Sequence, residues 1–330
     1  MKDQIRAYVL DGTADAVQGA VKTLPSASLP AGDVTIQVEF SGINYKDAMI
    51  SAGAGKMVRK FPHIPGVDLA GTVESDASGK FKAGAPVLVT GYDLGVAAWG
   101  GYAEVARVPA AWVVPLPQGL SAKEAATLGT AGFTAMLAVM ALERNGLKPG
   151  QGPVLVTGAT GGVGSIAVDI LARGGYTVAV SSGKPEAKDF LTKLGASQIL
   201  TRQEVTDASG KVMLKEQWAG AVDNAGGATL EYLLRSVKGG GSVALTGLVH
   251  SANFTGTVYP FILRGVNLLG IDSVNCPMDT RLEAWRLLAG PRKPRHLDDI
   301  AHVIGFDDLP AKLKEILGGG AKGRYVLRIA

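Results

Sequence analysis

The chain has 330 residues, long enough for two domains with a large core, and its 47% apolar and 19% charged composition excludes a disordered or fibrous class. Its 33 basic and 29 acidic residues leave a net charge of only +4, spread along the chain, so no basic patch calls for nucleic acid. One cysteine, Cys276, excludes an intrachain disulfide framework and fits a reducing cytoplasm. Met1-Lys2-Asp3-Gln4-Ile5-Arg6 lacks an apolar signal region, and no uninterrupted apolar stretch approaches the ~20 residues of a membrane helix.

From Arg6 to about Pro117 the pattern is short strands punctuated by Gly and Pro. Residues 34–40 alternate as a half-buried strand, and Val87-Leu88-Val89 and Val113-Val114 are further strands. Glycines in Ala70-Gly71-Thr72-Val73 and Gly100-Gly101-Tyr102-Ala103-Glu104 suggest bends where a barrel-like sheet closes. Ser121-Ala122-Lys123-Glu124 is a capping box, and a second, buried helix follows over 131–144 before Gly146 and Pro149 stop it. Strands near 153–157, 177–181, 198–200, 221–224, 243–245 and 266–270 alternate with helices near 163–173 and 185–194. That alternation predicts an α/β fold with one doubly wound parallel sheet. Helical periodicity returns around 281–288 and 309–317, and Arg324-Tyr325-Val326-Leu327-Arg328-Ile329 reads as a strand returning to the first domain. The division is a nucleotide domain over 125–266 and a β-rich domain over 1–124 and 267–330.

Pro153 to Ser165, PVLVTGATGGVGS, organises the nucleotide domain. A β-branched strand runs into a glycine turn and then a helix, with Ala159-Thr160-Gly161-Gly162-Val163-Gly164 matching G-x-G-x-x-G except for Ala in the first place. Gly161 lets the backbone approach a pyrophosphate, Gly164 lets helix and strand pack closely, and the helix N-terminus offers N–H groups and positive dipole. A turn serving only packing is the competing reading. An NAD-preferring chain carries Asp or Glu about 20 residues further on. Here the second strand ends in Ser182-Gly183-Lys184, whose hydroxyl, N–H and ammonium suit a 2′-phosphate, so the cofactor expected is NADPH. Arg202 closes over the same phosphate or the adenine, unless it is a solvated surface arginine.

Three strings then carry a resemblance: Ser41-Gly42-Ile43-Asn44-Tyr45-Lys46-Asp47, Pro65-Gly66-Val67-Asp68-Leu69-Ala70-Gly71 and the GATGGVG turn. With the domain order they resemble the medium-chain dehydrogenase/reductase superfamily over essentially the whole chain, which implies a Rossmann sheet plus a GroES-like, barrel-like catalytic domain. Asn44 stands where the zinc enzymes of that superfamily place a Cys ligand, and Val67-Asp68 where they place a His-Glu pair. One cysteine and four histidines cannot supply their sites, so no metal is expected. The resemblance narrows to the zinc-independent quinone oxidoreductase-like branch. The runs 259–266 and Gly270-Ile271-Asp272-Ser273-Val274, with Lys322-Gly323-Arg324, resemble its NADPH-dependent acrylyl-CoA reductase group. It implies NADPH contacts at Tyr45, Thr160, Gly161, Gly162, Val163, Ser182, Gly183, Lys184, Arg202, Leu248, Ile262, Ser273 and Gly318.

Reducing an activated C=C needs a placed hydride, stabilisation of the developing enolate and a proton. Tyr45 is the catalytic candidate, a hydroxyl that orients the nicotinamide ribose or donates the proton; its competing role is packing. Asn44 and Asp47 read as hydrogen-bonding residues, Asp68 as a cap or network member, and His63 and His250 as surface or hydrogen-bonding groups. Cys276 reads as a small buried hydrophobe. Lys56, Arg59 and Lys60 are a solvated charge run, or an attraction for CoA phosphates. The expected substrate is a short enoyl-CoA thioester, with a quinone or enone as the alternative acceptor and a non-catalytic NADPH-binding protein as a third reading. An apolar edge strand at 266–270 invites pairing with a second copy as a homodimer.

Overall fold

Residues 3–330 are described in the computed structural model, and they separate into two units. One runs up to Thr130 and takes in Val274–Met278 and Leu297–Ala330; the other holds Ala131–Ser273 and Asp279–His296.

The first unit opens with an antiparallel hairpin of β1 (Gln4–Thr13) and β2 (Ala16–Pro25). Its hub is β3 (Val34–Gly42), where alternating Val34, Ile36 and Val38 enter the core. After the short helix α1 (Tyr45–Ser51) come β4 (Asp68–Asp76), β5 (Pro86–Thr90), β6 (Val105–Val108) and the brief β7 (Val114–Pro115). β3 pairs antiparallel with β4 and with β6, and β4 pairs with β5. Gly71 lies within β4 and not at the bend its sequence suggests. Val38 pairs with Gly71 and Phe40 with Ala70, so Glu39 is an extra residue in β3, and any side chain at 71 would strike the Gln37 carbonyl.

Helix α2 (Ala122–Arg144) begins with the expected capping box: Ser121 N–H donates to Glu124 Oε2 at 2.9 Å and Glu124 N–H to Ser121 Oγ at 3.2 Å. The two helices read from sequence are one element broken at Gly129, which sits at φ 47°, ψ −151°. Contrary to the sequence estimate, α2 is long and apolar enough to cross a membrane by composition alone, with a mean hydropathy of 1.7 over its best window. Burial accounts for that composition, since 89% of the window lies inside the protein.

The second unit follows the predicted alternation: β8 (Val154–Val156), α3 (Gly162–Arg173), β9 (Val178–Ser181), α4 (Lys188–Lys193), β10 (Ala196–Leu200), β11 (Trp218–Asp223), α5 (Gly227–Ser236), β12 (Val237–Leu245), α6 (Tyr259–Arg264), β13 (Asn267–Gly270) and α7 (Met278–Ala289). Only the helix expected over 185–194 differs: Pro185–Ala187 is a 3₁₀ turn, and α4 starts behind it. All five ladders are parallel, in the order β10-β9-β8-β11-β12-β13. The strand order therefore reverses between β8 and β11, the switch point at which doubly wound sheets bind ligands. Because β13 pairs with β12, residues 267–273 pack with this unit, beyond the boundary at 266 read from sequence. Residues 279–296 do so too, where buried Asp169 on α3 accepts the Arg295 and His296 N–H groups at 3.0 and 2.8 Å.

The chain then returns to the first unit through α8 (Leu297–Ile300), β14 (Ala301–Ile304), α9 (Leu309–Leu317) and β15 (Arg324–Arg328). β15 pairs parallel with β14 and antiparallel with β3, Val326 opposite Gly42, as the returning strand was expected to do.

Candidate active site

In the second unit the candidate cofactor residues collect on the carboxyl edge of the parallel sheet. The loop after β8 carries Thr160–Val163, that after β9 carries Ser182, Gly183 and Lys184, that after β10 carries Arg202, and those after β12 and β13 carry Leu248 and Ser273. Five strands thus deliver their loops to one edge. Gly158 turns the chain at φ +57°, and the N-terminus of α3 is capped by Gly161, where a Cβ would meet nothing closer than 3.4 Å. A Cβ at Gly164 would strike the Gly158 carbonyl, so helix and turn pack backbone to backbone. This cradle fits a dinucleotide pyrophosphate.

The turn is held from behind by a network that the sequence reading did not foresee. Thr157 Oγ1 donates to buried Asp223 Oδ1 at 2.6 Å, and Asn224 Nδ2 donates to the Thr157 carbonyl at 2.7 Å. Asp223 also accepts the N–H groups of Ala225 and Gly226, and Asn224 Oδ1 accepts the Thr246 hydroxyl at 2.7 Å. Burial raises the Asp223 carboxyl above its ordinary value, and these donors pull it back. The group is a brace across the switch point, joining β8, β11 and β12. A polar Thr at the end of one buried strand and Asp-Asn at the end of another are its only sequence signal.

At the second strand the Ser182 hydroxyl accepts the Lys184 N–H at 3.0 Å, and the Arg202 guanidinium lies against the Cα of Gly183, where a Cβ would collide with it. The structure therefore brings Ser182, Gly183, Lys184 and Arg202 together as a cationic corner. Leu248 and Ile262 are open, at 53% and 69% exposure, Ile262 standing on α6.

Tyr45 and Gly318 belong to the first unit. Gly318 caps the exposed C-terminus of α9. Tyr45 is the first residue of α1 and is 38% exposed, and the chain beside it is anchored in a buried polar cluster. Asn44 and Asp47 form a capping box, the Asn44 N–H donating to Asp47 Oδ2 at 2.9 Å. Asn44 Nδ2 donates to Asp68 Oδ2 at 2.9 Å, and Arg324 Nη1 donates to Asn44 Oδ1 at 2.8 Å and the Ile43 carbonyl at 2.9 Å. Arg324 Nη2 faces Asp68 at 3.6 Å. Asp68 further accepts the Gly42 N–H at 2.6 Å and the Thr130 N–H at 2.9 Å, so it grips the chain just past Gly129. The expected hydrogen-bonding roles of Asn44, Asp47 and Asp68 are what the structure contains; Arg324 is the member that sequence reasoning placed only in a tail motif.

Electrostatically the cluster holds two buried carboxylates against one buried guanidinium. Burial first, then the Asp68 charge, pushes the Asp47 carboxyl up to about 6, against the N–H groups of Asn44 and Val67. Burial also raises Asp68, with the Arg324 charge and three donors, the Thr130 and Gly42 N–H groups and the Asn44 amide, opposing it. Tyr102 is pushed well above its ordinary value by burial and both carboxylates. His63 is buried rather than on the surface, its Nε2 2.9 Å from the Gly95 carbonyl, and burial lowers its pKa. In the basic run, Lys56 Nζ pairs with Asp15 at 2.6 Å, both exposed. Cys276 is buried.

Two family descriptions match the chain: Alcohol dehydrogenase GroES-like domain over residues 30–118, and Zinc-binding dehydrogenase over residues 162–290. With its β-rich unit and its doubly wound sheet, the chain belongs to the medium-chain dehydrogenase/reductase family, and it is an oxidoreductase of that family. Its relatives there are narrower in kind. The acrylyl-CoA reductase AcuI of Ruegeria pomeroyi is 50% identical over 319 residues, 97% of each chain. The crystal structure of the yhdH oxidoreductase of Salmonella enterica in complex with NADP is 44% identical with a TM-score of 0.95, covering 98% of this chain and all of that one. The Bacillus subtilis protein yhfP, with NAD bound, is 48% identical with a TM-score of 0.96, covering 99% and 100%.

Proposed function

We propose that this protein is an NADPH-dependent reductase of the activated C=C bond of a short enoyl-CoA thioester, converting acrylyl-CoA to propionyl-CoA by hydride transfer without a metal. The observation that carries the reading is the 50% identity, over nearly the whole of both chains, to a protein named acrylyl-CoA reductase. The cationic corner of Ser182, Gly183, Lys184 and Arg202 supports the choice of NADPH over NADH, because a 2′-phosphate is anionic and a carboxylate there would repel it.

Thr160, Gly161, Gly162 and Val163 hold the pyrophosphate, the corner holds the 2′-phosphate, and Leu248, Ile262, Ser273, Gly318 and Tyr45 complete the contacts. NADPH, when bound, supplies the hydride. The chain's own contribution is orientation and electrostatics: Tyr45 presents a hydroxyl that hydrogen-bonds or gives up a proton, and the cluster beneath it fixes the start of α1. The donor set does not fit zinc. Asn44 is an amide and Asp68 already faces Arg324, so a fixed cation occupies that carboxylate's field, and among the described residues no three His, Cys, Asp or Glu side chains gather.

A second reading, reduction of a quinone or enone with the same cofactor, is favoured by the likeness to a Bacillus subtilis relative named as a quinone oxidoreductase. NADPH oxidation followed by absorbance with acrylyl-CoA, with a simple quinone and with NADH in place of NADPH separates them. We expect NADPH-selective turnover of the thioester, and Tyr45→Phe to lower kcat/KM about tenfold or more, the scale of one lost hydrogen bond at the reacting end. Turnover of the quinone alone moves the chain to the second reading; stoichiometric binding with no turnover makes it a non-catalytic NADPH-binding protein.

The protein also pairs with a second copy of itself through β13, an edge strand, in this reading. Among the described residues, eight of the 13 exposed large hydrophobic residues fall within 248–263, in the segment leading into that strand. A cytoplasmic setting agrees with the single, buried cysteine.

A further inference from the structure

The buried face of α7 recurs at positions 281, 284, 285 and 288, the i, i+3, i+4, i+7 stripe of a core-facing helix, and its members are Arg281, Ala284, Trp285 and Leu288. An arginine therefore stands where the pattern asks for an apolar residue, and its side chain is wholly buried. Burying a cation is costly unless its surroundings compensate. Its surroundings include an aromatic face and a backbone carbonyl that compensate it. The guanidinium carbon lies 4.7 Å over the centroid of Phe133, whose ring is in turn stacked with Trp285 at 6.1 Å. Nη2 donates to the backbone carbonyl of Ser273 at 3.3 Å.

We infer that Arg281 is a positioning residue for the cofactor: it holds the loop Ile271-Asp272-Ser273 from behind, so that Ser273 is fixed at the carboxyl edge where β8, β9 and β12 also present their loops. A further tether of the loop is the Ile271 N–H, which donates to the Leu245 carbonyl at 3.1 Å. Leu245 ends β12 and Ile271 follows β13, so one bond sets the root of the loop and the Arg281 bond sets its far end. The planar guanidinium, rooted on a rigid helix and sandwiched against an aromatic ring, loses little freedom in making that bond. The inference rests on the reading that NADPH reaches Ser273.

Arg281→Lys keeps the charge and the contact with Phe133 but loses the planar fork. The expected result is a Kd and a KM for NADPH raised about tenfold, with kcat at saturating NADPH and the KM for acrylyl-CoA within about twofold of the parent, because the hydrogen bond to the Ser273 carbonyl is removed from the cofactor's support. A folded Arg281→Lys protein with unchanged NADPH affinity overturns the inference, since a role in core packing alone predicts that outcome. Hydrogen exchange on the unmodified protein tests it without any variant: NADPH must slow exchange of the amides at 271–273, and unchanged exchange there under saturating NADPH sinks it. If titration shows that NADPH does not bind at all, the cofactor reading fails and this inference fails with it; binding without protection at 271–273 defeats the inference only.

Discussion

Asp47 carries the clearest electrostatic consequence at the scale of one residue. Its folded value near 6 lies above the ordinary 3.8, so between those pH values the folded protein holds a proton that the unfolded chain has released. Stability from this group is therefore fully present below about pH 4 and is lost as pH rises through 6, by roughly 3 kcal/mol in all. The Asp47 carboxyl carbon should titrate by NMR with a midpoint near 6, and Asp47→Asn should make the slope of urea stability against pH more positive over that window. A midpoint below 4 would remove the claim. The hydrogen-bonding character of Asn44 and Asp47 was legible in the string that contains them, because a capping box is a local pattern. Their cation was not, since Arg324 stands 280 residues from Asn44 and only the fold brings the two together.

At the scale of elements, the strands and glycine turns were readable because periodicity and glycine punctuation are local signals. The strand β4 misled for a physical reason: Gly71 looks like a hinge, but it serves an extra residue in the neighbouring strand, which no local pattern announces. The brace of Thr157, Asp223 and Asn224 stayed hidden because Thr157 follows one strand and the Asp223-Asn224 pair ends another, and they acquire their role only when β8 and β11 become neighbours. Among the loops of the carboxyl edge, the one after β9 gives a sharp test. Gly183→Ala should leave the thermal midpoint nearly unchanged, since the atoms in the way belong to the flexible Arg202 side chain. Displacing that guanidinium should cut the ratio of kcat/KM for NADPH over NADH by about tenfold or more, the worth of a charge-assisted hydrogen bond. An unchanged ratio would mean that Arg202 does not face the 2′-phosphate.

For the molecule as a whole, the exposed apolar segment before β13 and the open edge of that strand lead to one expectation. Sedimentation at micromolar concentration should give twice the mass of one chain, and Leu263→Glu should shift it toward the single chain, because a charge on an apolar interface resists desolvation. A single-chain mass for the parent would dismiss the pairing. The division into two units was legible in outline, from the change of character near Ser121, but its far boundary was not. Helical periodicity around 281–288 does not say which unit a helix packs against, and the N–H groups that Asp169 receives from Arg295 and His296 are what decide it.

The return of β15 to β3 also orders events on the ribosome. The second unit is nearly continuous in the chain and can condense while the polypeptide is still growing. The first unit begins to emerge earlier but cannot be completed until its last strand has been translated, because β15 supplies both the neighbour of β3 and the guanidinium among Asn44, Asp47 and Asp68. For the length of time needed to synthesise some 280 residues, those carboxylates wait without their cation, and the part of the protein made first is the part finished last.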